Sequence, residues 1–300
     1  MSLLHLLQIL LLAIIQGAAE MLPISSSAHV TLAAKLIGFD LGSDDAAKYR
    51  WAFLLVMLHT GTMLAVLVYF RQRWKGLLRQ WPALLTATAV TGAVGWGLKH
   101  LIEHVWLRDP RTGAPGNIEQ LFLNLPLIAA ALASVGLLIF AAGIKELRQP
   151  AQGESVGWWP ALVQGIVQGL CLPIRGLSRS GSTISVAMIQ GIARQRAEEF
   201  SFALAVLLTP ALIAYEGHKL LALRHAAVTD AVGAAAAVPQ VTDLLLPGLV
   251  GMAFSFLAGL VGLWWLSRWL ERGHWWWFGV YCLAAAAVVL AVHYGLPATG

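Results

Sequence analysis

Gln16-Gly17-Ala18-Ala19-Glu20-Met21-Leu22-Pro23-Ile24-Ser25-Ser26-Ser27-Ala28-His29 interrupts an apolar stretch that otherwise runs from residue 3 to residue 39. Pro23 cannot continue a helix, and an acid with three successive serines is costly at membrane depth. A second apolar stretch, 159–193, is broken in the same manner by Pro173-Ile174-Arg175-Gly176-Leu177-Ser178-Arg179-Ser180-Gly181-Ser182-Thr183. The surroundings decide what such breaks mean. Of 300 residues, 58% are hydrophobic and 12% charged, against about 25% charged in soluble domains. Six uninterrupted segments, Trp51–Phe70, Trp81–Leu98, Leu121–Gly143, Phe200–Gly217, Asp243–Ser267 and Trp275–Tyr294, meet the roughly 20 residues a helix needs to cross hydrocarbon. An all-α integral membrane fold follows, with residues 1–300 as a single membrane domain. Irregular backbone at membrane depth survives only where protein covers it or water reaches it. Re-entrant helical hairpins over 3–39 and 159–193 meet that condition.

Residues 1–22 lack the basic start and small-x-small cleavage site of a signal peptide and run on into Glu20 and Pro23, so they are expected to stay in the fold. Cys171 and Cys282, in apolar surroundings, support neither a disulfide framework nor a thiolate metal site. The net charge of +5 does not mark a nucleic-acid binder, because the basic residues are spread over short interhelical loops.

Those loops set the topology. Arg71, Arg73, Lys75 and Arg79 follow one span with no acid among them, which places that loop in the cytoplasm by the positive-inside rule. Counting forward, 99–120 is outside and Lys145 with Arg148 inside. If 159–193 enters and leaves on one face, Arg194 and Arg196 are cytoplasmic, and two more spans put Arg268 and Arg272 there too. Counting backward, Asp40, Asp44 and Asp45 lie outside, so the first hairpin enters from the outer face. The halves 1–143 and 159–294 then each hold one hairpin and three spans. Three is odd, so the halves are inverted. Ala13-Ile14-Ile15-Gln16-Gly17 is echoed by Gly165-Ile166-Val167-Gln168-Gly169. Inverted repeats around broken helices place their site where the repeats meet, so the two breaks are expected to touch.

Among 20 basic and 15 acidic residues, only Glu20, Lys35, Arg175 and Arg179 fall well inside the broken regions. A Glu–Arg pair locking the hairpins together accounts for the charges but leaves the serines unexplained. Around Arg179, the glycines admit close approach of an anion, the following helix offers N–H groups and a positive dipole end, and the guanidinium adds a bidentate fork. Ser178, Arg179, Ser180, Gly181, Ser182 and Thr183 thus read as a phosphate cradle, although Ser and Thr also serve simply as helix caps. In the first break, Gln16 and Glu20 share a helix face and offer oxygens to a hard divalent cation, Mg²⁺ or Ca²⁺. Ser26 and His29 are one turn apart, so the imidazole can act as base toward the hydroxyl or attack phosphorus itself. His59, in Leu58-His59-Thr60-Gly61-Thr62, is read as cavity-lining or as a packing residue. Glu198 and Glu199 are read as helix-start residues, and Trp264, Trp265, Trp269 and Trp275–Trp277 as an interfacial belt.

At these positions the chain resembles the bacterial undecaprenyl-diphosphate phosphatase family, the integral membrane type linked with bacitracin resistance. The resemblance rests on Gln16 with Glu20, on Pro23, Ser25, Ser26 and His29, on Gly176-Leu177-Ser178-Arg179-Ser180-Gly181, on His59-Thr60-Gly61-Thr62 and on Glu199-Phe200-Ser201-Phe202. One feature departs from the family pattern. Its adjacent Pro-Gly pair is here Pro173-Ile174-Arg175-Gly176, which brings a second arginine that could meet the second phosphate of a diphosphate or pair with Glu20. The resemblance implies hydrolysis of undecaprenyl diphosphate to the monophosphate carrier lipid in the bacterial inner membrane, assisted by a divalent metal. The implied partners are the lipid substrate and the bilayer, with no nucleic acid and a homodimer as the candidate assembly. Arg179 and its neighbours would bind phosphate, Glu20 and Gln16 would hold the metal, and Ser26 assisted by His29, or His29 itself, would attack. The competing class is a transporter or flippase that carries a polyprenyl phosphate lipid without cleaving it.

Overall fold

The computed structural model describes residues 3–41, 45–109, 111–229, 241–271 and 274–295. Asp44 and Arg272, used in the loop-charge reading, lie outside them. Among the described residues every regular element is helical. The order is α1 (Leu3–Met21), α2 (Ser26–Leu36), α3 (Asp45–Tyr69), α4 (Trp74–Leu78) and α5 (Trp81–Leu101), then a π turn (Ile102–Trp106) and a 3₁₀ turn (Ile118–Leu123). It continues with α6 (Leu125–Arg148), α7 (Trp158–Cys171), α8 (Arg179–Ile189), α9 (Arg194–Thr229), α10 (Val241–Glu271) and α11 (Trp275–Gly295).

Among the described residues six helices are long and apolar enough to cross a membrane: Leu3–Met21, Arg50–Tyr69, Leu125–Arg148, Arg194–Tyr215, Leu244–Trp269 and Trp275–Gly295. Five coincide with the spans expected from sequence. The sixth expected span, Trp81–Leu98, is a helix of 21 residues but is diluted by threonine and glycine. Its place among the six is taken by α1, whose 19 residues run unbroken up to the first interruption. Outward-facing Leu137, Leu246, Val261 and Val288 stay exposed, as suits lipid contact.

The chain divides into two compact units, each drawing on both halves of the sequence. One comprises Met1–Met21, His29–Arg71 and Ala205–Trp264; the other comprises Leu22–Ala28, Gln72–Leu204 and Trp265–Gly300. In the first unit, α1 and α2 fold back on each other. The Gln8 side chain donates from Nε2 to the Ile37 carbonyl at 2.9 Å, and His5 stacks on Phe39 with centroids 5.3 Å apart. Ile9, Leu12, Val30, Ala34, Leu54 and Leu58 form the core beneath. On the other side of α1, a Cβ at Gly17 would lie 2.5 Å from the Ser255 carbonyl of α10. Small residues are what let backbones approach so closely in an apolar solvent.

The second unit is built on two tight helix pairs. Between α5 and α7, a Cβ at Gly165 would lie 2.6 Å from the Ala87 carbonyl, and Thr91 donates to the Gly165 carbonyl while accepting from Gln168. Between α6 and α11, a Cβ at Gly279 would lie 2.6 Å from the Phe140 nitrogen. Because that obstacle is backbone, it cannot rotate away. Gly279→Leu is therefore expected to cost at least about 1–3 kcal/mol, read as a lowered melting temperature in detergent. Gly97→Ala, whose Cβ meets open space, is expected to be neutral or mildly stabilising.

Helices α7 and α8 also form a hairpin, because the segments flanking it are tied together. Gly153 donates to the Gly191 carbonyl and Ala193 donates to Gly153, at 3.0 and 2.9 Å. The basic loops gather at this end. Lys145 reaches the Ile189 carbonyl at 2.6 Å, Arg194 pairs with Glu146 at 3.2 Å, and Gln80 accepts from the Val156 amide at 3.0 Å. Loops that the charge count put on one face thus converge at one end of this unit. One expectation fails here: Trp275 is fully buried rather than interfacial, and its indole donates to Ser185 at 2.9 Å, whereas Trp264, Trp265 and Trp277 are exposed.

Candidate active site

In the second unit the two breaks touch. Helix α1 stops at Met21 and α2 starts at Ser26, because Pro23 has no N–H to give and serines favour helix starts. Ser25 adopts φ +65°, a left-handed conformation that costs an L-residue roughly 1–2 kcal/mol. Ser25 and Ser27 hydroxyls lie 3.3 Å apart, and Ser26 is 7% exposed. Strain of this kind persists only where the surroundings impose it, and it gathers at functional sites.

The second break is set by Gly176 and Ser178. Gly176 has φ +104°, and a Cβ there would lie 2.6 Å from the Ile128 carbonyl, so only glycine fits the turn against α6. Ser178 caps α8 by accepting from the Gly181 amide at 3.2 Å. Arg179, half-buried, opens the helix, whose first turn presents N–H groups and the positive end of its dipole to the loop. Ser180 donates to the Leu22 carbonyl at 3.3 Å, and a Cβ at Gly181 would lie 3.0 Å from the Pro23 carbonyl. The expected meeting of the breaks is thus direct, between Leu22–Pro23 and Ser180–Gly181.

The hydroxyls of the cradle are not equivalent. Ser182 donates to the Leu177 carbonyl at 3.4 Å. Thr183, fully buried, bonds the Arg179 carbonyl at 2.8 Å and the Ser201 hydroxyl at 2.6 Å. Thr183 therefore fastens α8 to α9, behind the loop. Arg175 lies over the Phe122 ring, 4.4 Å from its centroid, on the 3₁₀ turn that precedes α6.

Gln16, Glu20 and His29 belong to the first unit. Gln16 is fully buried, donates from Nε2 to Glu20 Oε2 at 3.3 Å, and leaves its Oε1 buried with no hydrogen-bond partner. Leaving a buried acceptor unmatched is costly. An orphan amide oxygen one turn from a carboxylate fits a hard cation that takes one or two protein oxygens and completes its shell from water and phosphate. Among the described residues no group of three or more His, Cys, Asp or Glu could hold a metal by itself. His29 is half-buried on α2, one turn beyond Ser26. His59 bonds through Nδ1 to the Leu55 carbonyl of its own helix at 2.8 Å.

Two residues carry more than the sequence reading gave them. Glu199 is 4% exposed, and its carboxylate oxygens accept from Arg73 and Arg196 at 3.0 Å each. It ties the first basic loop to the start of α9. Ser201 holds Thr183. The Glu-Phe-Ser-Phe run was visible, but a partner 126 residues away for Glu199 was not.

The sequence model of the bacitracin resistance protein BacA family matches residues 9–288. The chain is 50% identical over 296 residues to "Undecaprenyl-diphosphatase 2" of Acinetobacter baylyi, covering 96% of this chain and 98% of that one. It is 32% identical over 320 residues to "Undecaprenyl-diphosphatase" of Desulfatibacillum aliphaticivorans, covering 97% and 99%. It is 33% identical over 286 residues to the protein so named from Mycobacterium marinum, covering 94% and 93%.

Proposed function

The chain belongs to the bacitracin resistance protein BacA family, and we propose that its chemistry runs where the two Ser-rich breaks touch. It is a multi-pass protein of the bacterial inner membrane that hydrolyses undecaprenyl diphosphate to undecaprenyl phosphate and inorganic phosphate, returning the carrier lipid to cell-wall synthesis. The contact of Ser180 and Gly181 with Leu22 and Pro23 carries the assignment of the site.

In this reading the terminal phosphoryl lies on the first turn of α8, gripped by Arg179, while loop amides and the Ser178 hydroxyl face its oxygens and Ser180, donating to the Leu22 carbonyl, holds the two breaks together. Ser26 attacks from the touching segment and His29 takes its proton. The anhydride P–O bond breaks with its electron pair going to the lipid phosphate, and water then releases inorganic phosphate. His29 itself is the alternative nucleophile, one turn beyond Ser26 on α2. The chain brings Glu20 within two residues of Leu22, and His29 directly follows Ala28. Gln16 and Glu20 would hold the divalent cation, Mg²⁺ or Ca²⁺, which would neutralise diphosphate charge. Thr183 is read as a support for the loop, since its hydroxyl is already spent on Arg179 and Ser201.

Re-entrant hairpins in an inverted repeat are the architecture behind this reading. The 14 residues of α7 and 11 of α8 rise about 21 and 16 Å, short of the roughly 30 Å hydrocarbon layer, whereas the 19 residues of α1 rise about 28 Å, close to that thickness. The outgoing helices also pack reciprocally, α1 on α10 and α7 on α5, each through a glycine. With the basic end cytoplasmic, Arg179 falls near mid-depth, and Gly176, packed on the first turn of α6, points the loop toward the outer face. A homodimer remains the candidate assembly.

Phosphate release from undecaprenyl diphosphate by purified protein tests the function. Release in Mg²⁺ or Ca²⁺, arrest by chelator and a raised cation requirement in Glu20→Gln are the expected results. Insensitivity to chelator would remove the cation alone. No release under any condition would favour carriage without cleavage.

A further inference from the structure

Ile174 and Arg175 separate Pro173 from Gly176, so this chain carries a second arginine at the tip of the phosphate loop, with a fixed seat. Its guanidinium lies 4.4 Å from the Phe122 ring centroid. A guanidinium held against an aromatic face by cation–π attraction retains the planar N–H fork that suits bidentate phosphate binding. The next residue, Gly176, locks the loop against Ile128 with a left-handed backbone, so Arg175 is positioned by rigid neighbours on both sides.

We infer that Arg175 is a second phosphate-binding residue, holding the phosphate that stays on the lipid, while Arg179 and the first turn of α8 hold the one that is cleaved. The inference rests on the proposed phosphatase reading and names how that site tells a diphosphate from a monophosphate. Two observations order the phosphates. Arg179 opens α8, whose next two residues, Ser180 and Gly181, touch Leu22 and Pro23 of the segment that carries Ser26, which suits the phosphoryl under attack. Arg175 lies at the other end of the loop, beside the 3₁₀ turn Ile118–Leu123 that leads into α6. As the anhydride bond breaks, its electron pair passes to the lipid phosphate, which gains one negative charge. A guanidinium there stabilises that charge, so the same contact that binds substrate also assists the leaving group.

Equilibrium titration of purified protein with two probes, farnesyl phosphate and inorganic phosphate, tests this independently of turnover. The first carries the lipid-side phosphate and the second the cleaved one. Arg175→Gln is expected to weaken farnesyl phosphate binding by about 10- to 100-fold, the range of a hydrogen bond to a charged group, and to leave inorganic phosphate within about twofold. Phe122→Leu should weaken farnesyl phosphate by about two- to fivefold, as loss of a cation–π seat, and Phe122→Trp should restore it. The melting temperature of each variant, measured alongside, identifies misfolding. Unchanged farnesyl phosphate affinity in a folded Arg175→Gln protein would overturn the inference, as would equal loss for both probes. If wild type released no phosphate, the phosphatase reading would fail, yet the two titrations would still report whether Arg175 binds a lipid phosphate.

Discussion

Ser26→Ala is expected to lower phosphate release from undecaprenyl diphosphate by at least about 10³-fold, with His29→Ala losing about 10²–10⁴-fold, the usual worth of a positioned base. The two are also expected to be non-additive. A nucleophile and its base act as a unit, so the double variant should be about as impaired as the worse single one. Ser26 opens α2 at 7% exposure, directly after the left-handed Ser25. An alanine there removes the attacking oxygen while keeping the Cβ and its packing. Rapid acid quench during turnover separates the two attacking groups: an acid-stable phosphoserine marks Ser26, whereas acid-labile phosphate that disappears in His29→Ala marks the imidazole. Near-wild-type turnover in Ser26→Ala would dismiss the serine as nucleophile.

Arg179→Ala is the second large effect, about 10²–10³-fold in kcat, comparable with loss of one preorganised donor to a developing anion. Arg179→Lys should recover only part of this, because a single ammonium cannot reproduce the planar bidentate fork. The Ser178 cap and the Thr183–Ser201 bond hold the first turn of α8 without the Arg179 side chain, so these variants should fold. Activity of Arg179→Ala within about threefold of wild type, in steady-state assays with a melting curve as control, would remove the phosphate cradle from the mechanism.

The breaks themselves were legible because their causes are local. A proline without an N–H and a serine cap act within one or two turns. Helix ends at Met21 and Cys171 and starts at Ser26 and Arg179 match that reading closely. The spans were legible because hydrophobic length is additive along the chain. Trp81–Leu98 shows the limit. Its threonines and glycines dilute the apolar signal, and only some of them serve packing: Gly95 lies against Leu172 and Thr91 bonds Gln168, whereas a Cβ at Gly92 or Gly97 would meet open space. Trp275 shows another. A tryptophan beside a loop reads as interfacial until a buried serine is found for its indole.

What the sequence by itself determined is the membrane class, the place of both interruptions and the residue types gathered there, since each follows from composition or from interactions a few residues long. Only the tertiary structure decided which groups face one another. Ser180 finds the Leu22 carbonyl 158 residues away, Glu199 finds Arg73, and Arg175 finds the Phe122 ring. Such partners have no local signature, because they are selected by which helices approach and by which buried polar groups must be satisfied once water is gone.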